Sequence, residues 1–259
     1  MAESKQKNVH ILEQGNIYFF YRPKVDEPSV KGLEDVERFY MVLEPKQKDE
    51  HLYRLIVIGQ KKMPEIKPHG GGESSWGFVD KVSQKAEEIE DELDVKKYQT
   101  KTRGEQTREP ARPVGEGIYN IVRHQDHTHF VYVLNLPRQM GEVQKAFQLR
   151  EEGSYILSIK NPYQPAPRQV GFSGKEPHYP TDLQKKFGKH KWIPADPPSF
   201  LDYKDTQILL IGAELDVSGE LGINLHPQNE KDALDAIVND LHLELSQHPT
   251  APLFKGQWQ

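Results

Sequence analysis

The sequence predicts an α+β protein rich in β-strand: two related antiparallel three-stranded units, a few packing helices and a mixed C-terminal segment. The first observation behind this prediction is a series of short β-branched and aromatic runs separated by polar turns. The second is that two sets of these runs resemble each other. The third is that apolar residues recur at helical spacing in only a few places. We divide the chain into a first β unit with its helix and connecting loop at 1–112, a second β unit at 113–165, and a proline-rich and α/β segment at 166–259.

The first unit begins with a run at 15–23, which a proline ends, and continues with apolar runs at 39–43 and 52–59. Because the connections between these runs are polar, we expect an antiparallel meander. A short amphipathic helix is predicted next, since four apolar residues recur at helical spacing. They are Val82, Ala86, Ile89 and Leu93.

A polar and basic segment at 96–113 follows the predicted helix. We interpret it as a long solvated connection between the two β units. The alternative is that its arginines, Arg103, Arg108 and Arg112, bind an anionic ligand, for which the planar guanidinium is well suited.

The two β units share a sequence pattern that predicts an internal duplication. The pair Ile17-Tyr18 followed by Arg22 recurs 101 positions later as Ile118-Tyr119 followed by Arg123. Two apolar runs, at 55–58 and 156–159, are displaced by the same 101 positions, whereas the middle strands are displaced by 91. We therefore predict related units at about 15–60 and 116–160 that pack side by side, with a binding groove between them.

The stretch 117–137 predicts a β-hairpin whose tip carries three histidines. Polar residues at 125–128 are short enough to form the loop, which would place His124 directly opposite His129. Directly opposed residues have Cβ atoms roughly 5 Å apart, close enough for two imidazoles to share a metal ion. His127 and Asp126 would complete the ligand set for zinc or another divalent metal. The alternative is that these histidines are solvated or bonded to backbone carbonyls.

The last third of the chain combines a proline-dense segment at 161–198 with two regular elements. We expect the proline-rich part to wrap over the β units, because proline resists regular structure. A buried strand is predicted at 207–213 and a helix at 230–241. We expect the aromatic residues of the tail, Phe254 and Trp258, to dock on the body of the protein.

Composition narrows the function classes. A net charge of −5 is unlike the basic footprint of a nucleic-acid-binding protein. The absence of cysteine excludes thiol catalysis, disulfides and cysteine-ligated metal sites. Without a signal-peptide pattern or a run of about 18 apolar residues, we expect a cytoplasmic protein that does not engage membranes.

Three phrases resemble a family of uncharacterised bacterial proteins of similar length. They are G-N-I-Y-F-F-Y-R-P at 15–23, H-T-H-F-V-Y-V-L at 127–134 and I-P-A-D-P-P-S-F-L-D-Y at 193–203, and they cover less than a fifth of the chain. The resemblance implies no activity and no site residues.

These observations lead to three functional hypotheses. The first is a ligand- or partner-binding module without catalysis, whose ligand, a small molecule or a protein, contacts Arg123 and His124. The second is a metal-dependent hydrolase centred on His124, His127 and His129, with Asp126 as a fourth ligand or an orienting group. The third uses His124 as a metal-free general base and Arg123 as an anion clamp.

Overall fold

The computed structural model describes residues 9–46, 51–67, 72–165, 175–213, 241 and 247–259. Its main feature is a nine-stranded antiparallel sheet in which eight strands close into a barrel. The strands are β1 Val9–Pro23, β2 Val36–Pro45, β3 Tyr53–Ile58, β4 Ser74–Ser83, β5 Lys96–Thr100, β6 Gly104–Arg108, β7 Arg112–His124, β8 His127–Leu136, β9 Glu152–Lys160, β10 Trp192–Pro194 and β11 Gln207–Gly212.

The barrel runs in the order β9, β11, β4, β3, β2, β1, β7 and β8, and the pairing of β8 with β9 closes the ring. Short β10 continues the edge of β8, because it pairs with the last three residues of β9. Outside the barrel, β5 and β6 form a separate two-stranded hairpin.

Residues alternate between the inside and the outside of the barrel, as the period of two in a strand requires. On β1, the side chains of Ile17, Phe19 and Tyr21 join the inner core, whereas Tyr18 and Phe20 join a second cluster on the outer face. Both sets are buried, which explains why the strand reads as a continuous apolar run. An eight-stranded barrel is just wide enough for side chains to fill its interior, and here the side chains of the inner core fill it.

Both ends of the barrel are covered. At one end, Phe147 stacks on Phe39 with ring centroids 4.7 Å apart, and Trp258 packs against Tyr21 at 5.5 Å. At the other end, the segment 179–206 contributes aromatic residues such as Phe200, which packs against Tyr179 at 5.3 Å. Trp258 thus docks as the sequence predicts, whereas Phe254 remains 41% exposed.

Four short helices and two 3₁₀ turns complete the described part of the chain. The helices are α1 Ala86–Leu93, α2 Glu142–Ala146, α3 Thr181–Lys186 and α4 Ala251–Lys255, and the turns are Leu33–Asp35 and Pro198–Asp202. The predicted helix near 82–93 is confirmed, although it begins only at Ala86 because Val82 still belongs to β4. The predicted helix at 230–241 lies outside the described residues except for Leu241. None of the described helices has the length and apolar character that a membrane span requires.

The predicted α+β class is wrong, because the helices are few and short and the strands form one closed barrel. The predicted duplication into two side-by-side units is also unsupported. Strand β1 of the first unit pairs with β7 of the second over twelve positions, from Val9 with His124 to Tyr21 with Arg112. The two runs that resemble each other are therefore neighbours in one wall, and no groove separates them.

The segment 96–113, predicted as a solvated connection, instead forms the β5–β6 hairpin and the start of β7. The predicted strand at 207–213 is confirmed as β11. It lies between β4 and β9, so the C-terminal segment contributes one strand of the barrel.

Candidate functional site

The predicted hairpin is present, but its turn is two residues shorter than predicted. Only Gln125 and Asp126 lie between β7 and β8, and Gln125 has a φ of 54°. As a result His124 pairs with His127, and His129 pairs with Val122. A shift of two residues keeps all of these side chains on the same face of the hairpin. The rings of His124 and His129 are diagonal neighbours, with centroids 5.8 Å apart.

The predicted metal centre is wrong. In the described ranges of the chain, no group of three or more histidine, cysteine, aspartate or glutamate side chains is arranged to hold a metal ion. His129 is 5% exposed within the outer face of the barrel, whereas Asp126 and His127 are exposed at the turn. The proposed ligands His124, His127, His129 and Asp126 thus lie near one hairpin tip but are not arranged to hold an ion, so the hydrolase hypothesis that depended on them lacks its metal centre.

His129 is a neutral, buried imidazole. Its pKa is lowered to about 4, mainly by burial and in smaller part by the nearby His124 and His127. Its Nδ1 atom and the Nε2 atom of His124 are buried, and neither has a hydrogen-bond partner among the residues that the structure describes. The two rings therefore contribute to a packed outer face, and His129 carries no charge there near neutral pH.

Arg123 is already engaged in contacts. Its guanidinium forms an ion pair with Asp196, and its Nε donates to the carbonyl oxygen of Gln125 at 3.2 Å. These contacts tie the hairpin tip to the segment that covers the end of the barrel. Ligand binding by Arg123 and His124 stays a prediction.

A surface cleft of about 580 Å³ between the start of β2 and the β5–β6 hairpin is lined by several cationic side chains. We call it the basic cleft. It is lined by Val25, Glu37, Arg38, Lys96, Lys97, Tyr98 and Arg108. Four cations thus surround one carboxylate, and the ring of Tyr98, which is 40% exposed, adds an aromatic surface.

Arg22 strengthens the positive character of the basic cleft. It is fully buried and pairs across the sheet with Arg38. Its guanidinium donates to the carbonyl oxygens of Glu92 and Asp94 at the C-terminal end of α1, and to that of Glu109. Burial lowers its pKa, and the nearby Arg108 acts in the same direction. Carbonyl oxygens carry only partial charge, so the positive charge of Arg22 is not neutralised by them.

Three ion pairs surround the basic cleft, and all are partly exposed. Arg38 lies 3.4 Å from Asp80, Lys96 lies 3.2 Å from Glu92, and Arg108 lies 3.8 Å from Glu37. Exposed pairs of this kind contribute about 0–1 kcal/mol each, so a bound anion can compete with them. Within the described part of the chain, no ion pair or hydrogen bond of the Lys97 side chain is found.

An acidic cleft of about 650 Å³ lies on the other side of these ion pairs. It is lined by Asp80, Lys81, Val82, Glu92, His178, Asp202, Tyr203, Lys204 and Asp205. The two clefts therefore lie next to each other, since Asp80 and Glu92 line the acidic cleft and bind Arg38 and Lys96 of the basic one.

Asp202 connects the acidic cleft to a buried polar network inside the barrel. Arg54 donates to Asp202 Oδ1 at 2.8 Å and binds both carboxylate oxygens of Glu13, at 2.6 and 2.8 Å. Tyr119 donates its hydroxyl to Glu13 at 2.8 Å. Burial alone would lower the pKa of Arg54, but Glu13 and Asp202 raise it above its ordinary value. Removing one partner from such a network costs about 3–5 kcal/mol, because it leaves an uncompensated charge buried in the barrel.

Comparison with protein-family models, with curated proteins and with solved structures found no match to this chain.

Sequence reasoning found only part of the basic cleft. Of the three arginines offered to an anionic ligand, Arg108 lines the cleft, Arg103 lies in the exposed hairpin turn, and Arg112 is buried and donates to Pro28 O at 2.6 Å. The contributions of Arg38 and of Arg22 were missed because they come from β1 and β2, far away in sequence. The dense basic run K-K-Y at 96–98 was the available signal.

Proposed function

We propose that this protein binds a small phosphorylated molecule in the basic cleft and acts as a binding module without catalysis. The observation that carries the proposal is the convergence of four cations around a single carboxylate in a chain whose net charge is −5. Three of these cations have carboxylate partners, but those ion pairs are partly exposed and weak, so an anion can compete for the cations.

The charge of the cleft favours phosphate over a simple carboxylate. Its lining has a formal excess of three positive charges. A phosphomonoester carries about −1.5 to −2 near neutral pH, compared with about −1 for a carboxylate, and it presents three acceptor oxygens. Arg38 and Arg108 supply planar donors that match those oxygens.

Size and shape favour a small organic phosphate over a macromolecule. A volume of about 580 Å³ lies within the usual range of small-molecule sites. The half-exposed ring of Tyr98 offers an apolar face to the organic part of the ligand. We place this activity in the cytoplasm.

The proposal is tested by calorimetric titration of inorganic phosphate and of glycerol 3-phosphate into the protein at low ionic strength. Arg108→Gln should weaken binding about tenfold, since a charge-assisted hydrogen bond contributes about 1.5–3 kcal/mol. Lys97→Gln should weaken it about threefold, because an exposed point charge contributes less. The matched control is Lys189→Gln, which removes an exposed lysine beyond α3 and should leave the affinity unchanged. Equal affinity in all four proteins, or no binding at all, would reject the proposal.

A further inference from the structure

Glu37 is out of place in a cleft for anions. It is the single carboxylate of the lining, and a bound phosphate would be repelled by it. Its side chain is only 31% exposed, so solvent screens its charge incompletely. The carboxylate offsets part of the positive charge of Arg108 and Arg22, and it is also placed to accept a hydrogen bond from a ligand.

Two polar atoms at this point have unused hydrogen-bonding capacity. Glu37 Oε2 and Arg108 Nε are both buried, and neither finds a hydrogen-bond partner among the described residues. They lie 3.8 Å apart, which is too long for a direct hydrogen bond. Leaving a buried donor or acceptor unpaired costs about 1–3 kcal/mol, so a group that satisfies both atoms gains that stabilisation.

The chemistry of the two atoms specifies that group. Arg108 Nε can only donate and Glu37 Oε2, as a carboxylate oxygen, can only accept. A phosphate dianion can only accept, so it satisfies Arg108 and not Glu37. A hydroxyl does both, because its oxygen accepts from one partner while its hydrogen is donated to the other.

We infer that the ligand of the basic cleft is a phosphomonoester that also carries a hydroxyl group, and that this hydroxyl bridges Arg108 Nε and Glu37 Oε2. The inference rests on the proposed function. The phosphate is bound by Arg38, Lys96, Lys97 and the Nη atoms of Arg108. Glu37 selects hydroxylated ligands over plain ones.

The test compares glycerol 3-phosphate with propyl phosphate by calorimetric titration. The two probes have the same carbon chain and the same phosphate, and differ in the hydroxyls. The native protein should bind glycerol 3-phosphate about tenfold more tightly, since a site with a polar pair rejects an analogue that leaves the pair unsatisfied.

Substitution of Glu37 separates its two effects. Glu37→Ala removes a like charge and the acceptor, so propyl phosphate should bind more tightly while the preference for glycerol 3-phosphate disappears. Glu37→Gln removes the charge but keeps an acceptor oxygen, so both probes should bind more tightly and most of the preference should remain. The control Glu105→Ala removes an exposed carboxylate from the β5–β6 hairpin, which carries Arg108, and should leave the preference unchanged. Thermal melting confirms that each variant is folded.

The outcomes are distinguishable. Equal affinity of the native protein for the two probes, or a preference that survives Glu37→Ala, overturns this inference while the phosphate site stands. Failure of inorganic phosphate and of both organic phosphates to bind overturns the site and the inference together.

Discussion

At the scale of single residues, two buried arginines differ in whether their hydrogen-bond partners neutralise the charge of the guanidinium. Arg54 binds the carboxylates of Glu13 and Asp202, so its charge is neutralised inside the barrel. Arg22 is equally buried, but its hydrogen bonds go to backbone carbonyls and to the Tyr40 hydroxyl. The first arginine therefore stabilises the fold, whereas the second adds positive potential beside the basic cleft.

His129 supplies a prediction at the same scale. A histidine in the unfolded chain has a pKa near 6.5, and burial lowers that of His129 to about 4 in the folded protein. As the pH falls below about 6.5, the unfolded state takes up a proton that the folded state rejects, so stability is lost until the folded protein protonates near pH 4. The loss from this group approaches about 3 kcal/mol.

The measurement is urea unfolding of the native protein and of His129→Phe at several pH values between about 7 and 4. Between about pH 7 and pH 4 the free energy of unfolding of the variant should fall less than that of the native protein, and the difference should be most of the roughly 3 kcal/mol that is assigned to His129. The control His190→Phe replaces an exposed ring and should keep the native pH dependence. Parallel acid profiles for the native protein and His129→Phe would contradict the assigned burial.

At the scale of elements, the two hairpins differ in how far the sequence predicts them. The strands of the β7–β8 hairpin follow from their β-branched and aromatic residues, but its register does not. The turn places Gln125 at positive φ, where glycine or asparagine would have been a recognisable signal. The β5–β6 hairpin escapes prediction because its strands are polar on both faces and carry no alternation of apolar residues.

The β5–β6 hairpin leads to a prediction through its turn. Gly104 has a φ of +73°, and nothing lies within 4 Å of the position that a Cβ would occupy, so an alanine there is strained but not obstructed. The strain is about 1 kcal/mol. Because the hairpin carries Lys97, Tyr98 and Arg108 of the basic cleft, Gly104→Ala should weaken phosphate binding by up to about fivefold.

A matched control exists at Gly188, which has a φ of +50° and equally open space. Gly188→Ala should impose a similar strain without any change in phosphate affinity. Calorimetric titration of phosphate into both variants measures the difference. Equal phosphate affinities in the two variants would show that the hairpin does not shape the cleft.

At the scale of the whole molecule, the closure of the barrel is the feature that could not be predicted from the sequence. The buried outer faces of β1, β2 and β3 hide the alternation that would have identified an inside and an outside. The barrel also depends on pairings between segments that are distant in sequence, such as β1 with β7 and β4 with β11. The similarity of 17–22 to 118–123 led to the unsupported prediction of two separate units, whereas the two segments are neighbouring strands of one wall.

The cover at one end of the barrel gives a prediction at this scale. Trp258 packs against Tyr21 and Phe147, with ring centroids 5.5 and 5.6 Å away. Trp258→Ala should therefore lower the free energy of unfolding by about 2 kcal/mol, somewhat less than the loss expected for a fully buried tryptophan. Phe254→Ala, at an exposed position in the same tail, should cost less than about 0.5 kcal/mol. Urea unfolding of both variants measures the difference, and equal stabilities would mean that the tail does not seal the barrel.

The location of the anion site is tested most directly by nuclear magnetic resonance of the ¹⁵N-labelled protein during a titration with inorganic phosphate. The basic cleft predicts saturable shifts of the backbone amides of Glu37, Arg38, Lys97, Tyr98 and Arg108, and unchanged amides at 123–129. Shifts confined to Arg123, His124 and their neighbours, or no saturable shifts anywhere, would contradict it.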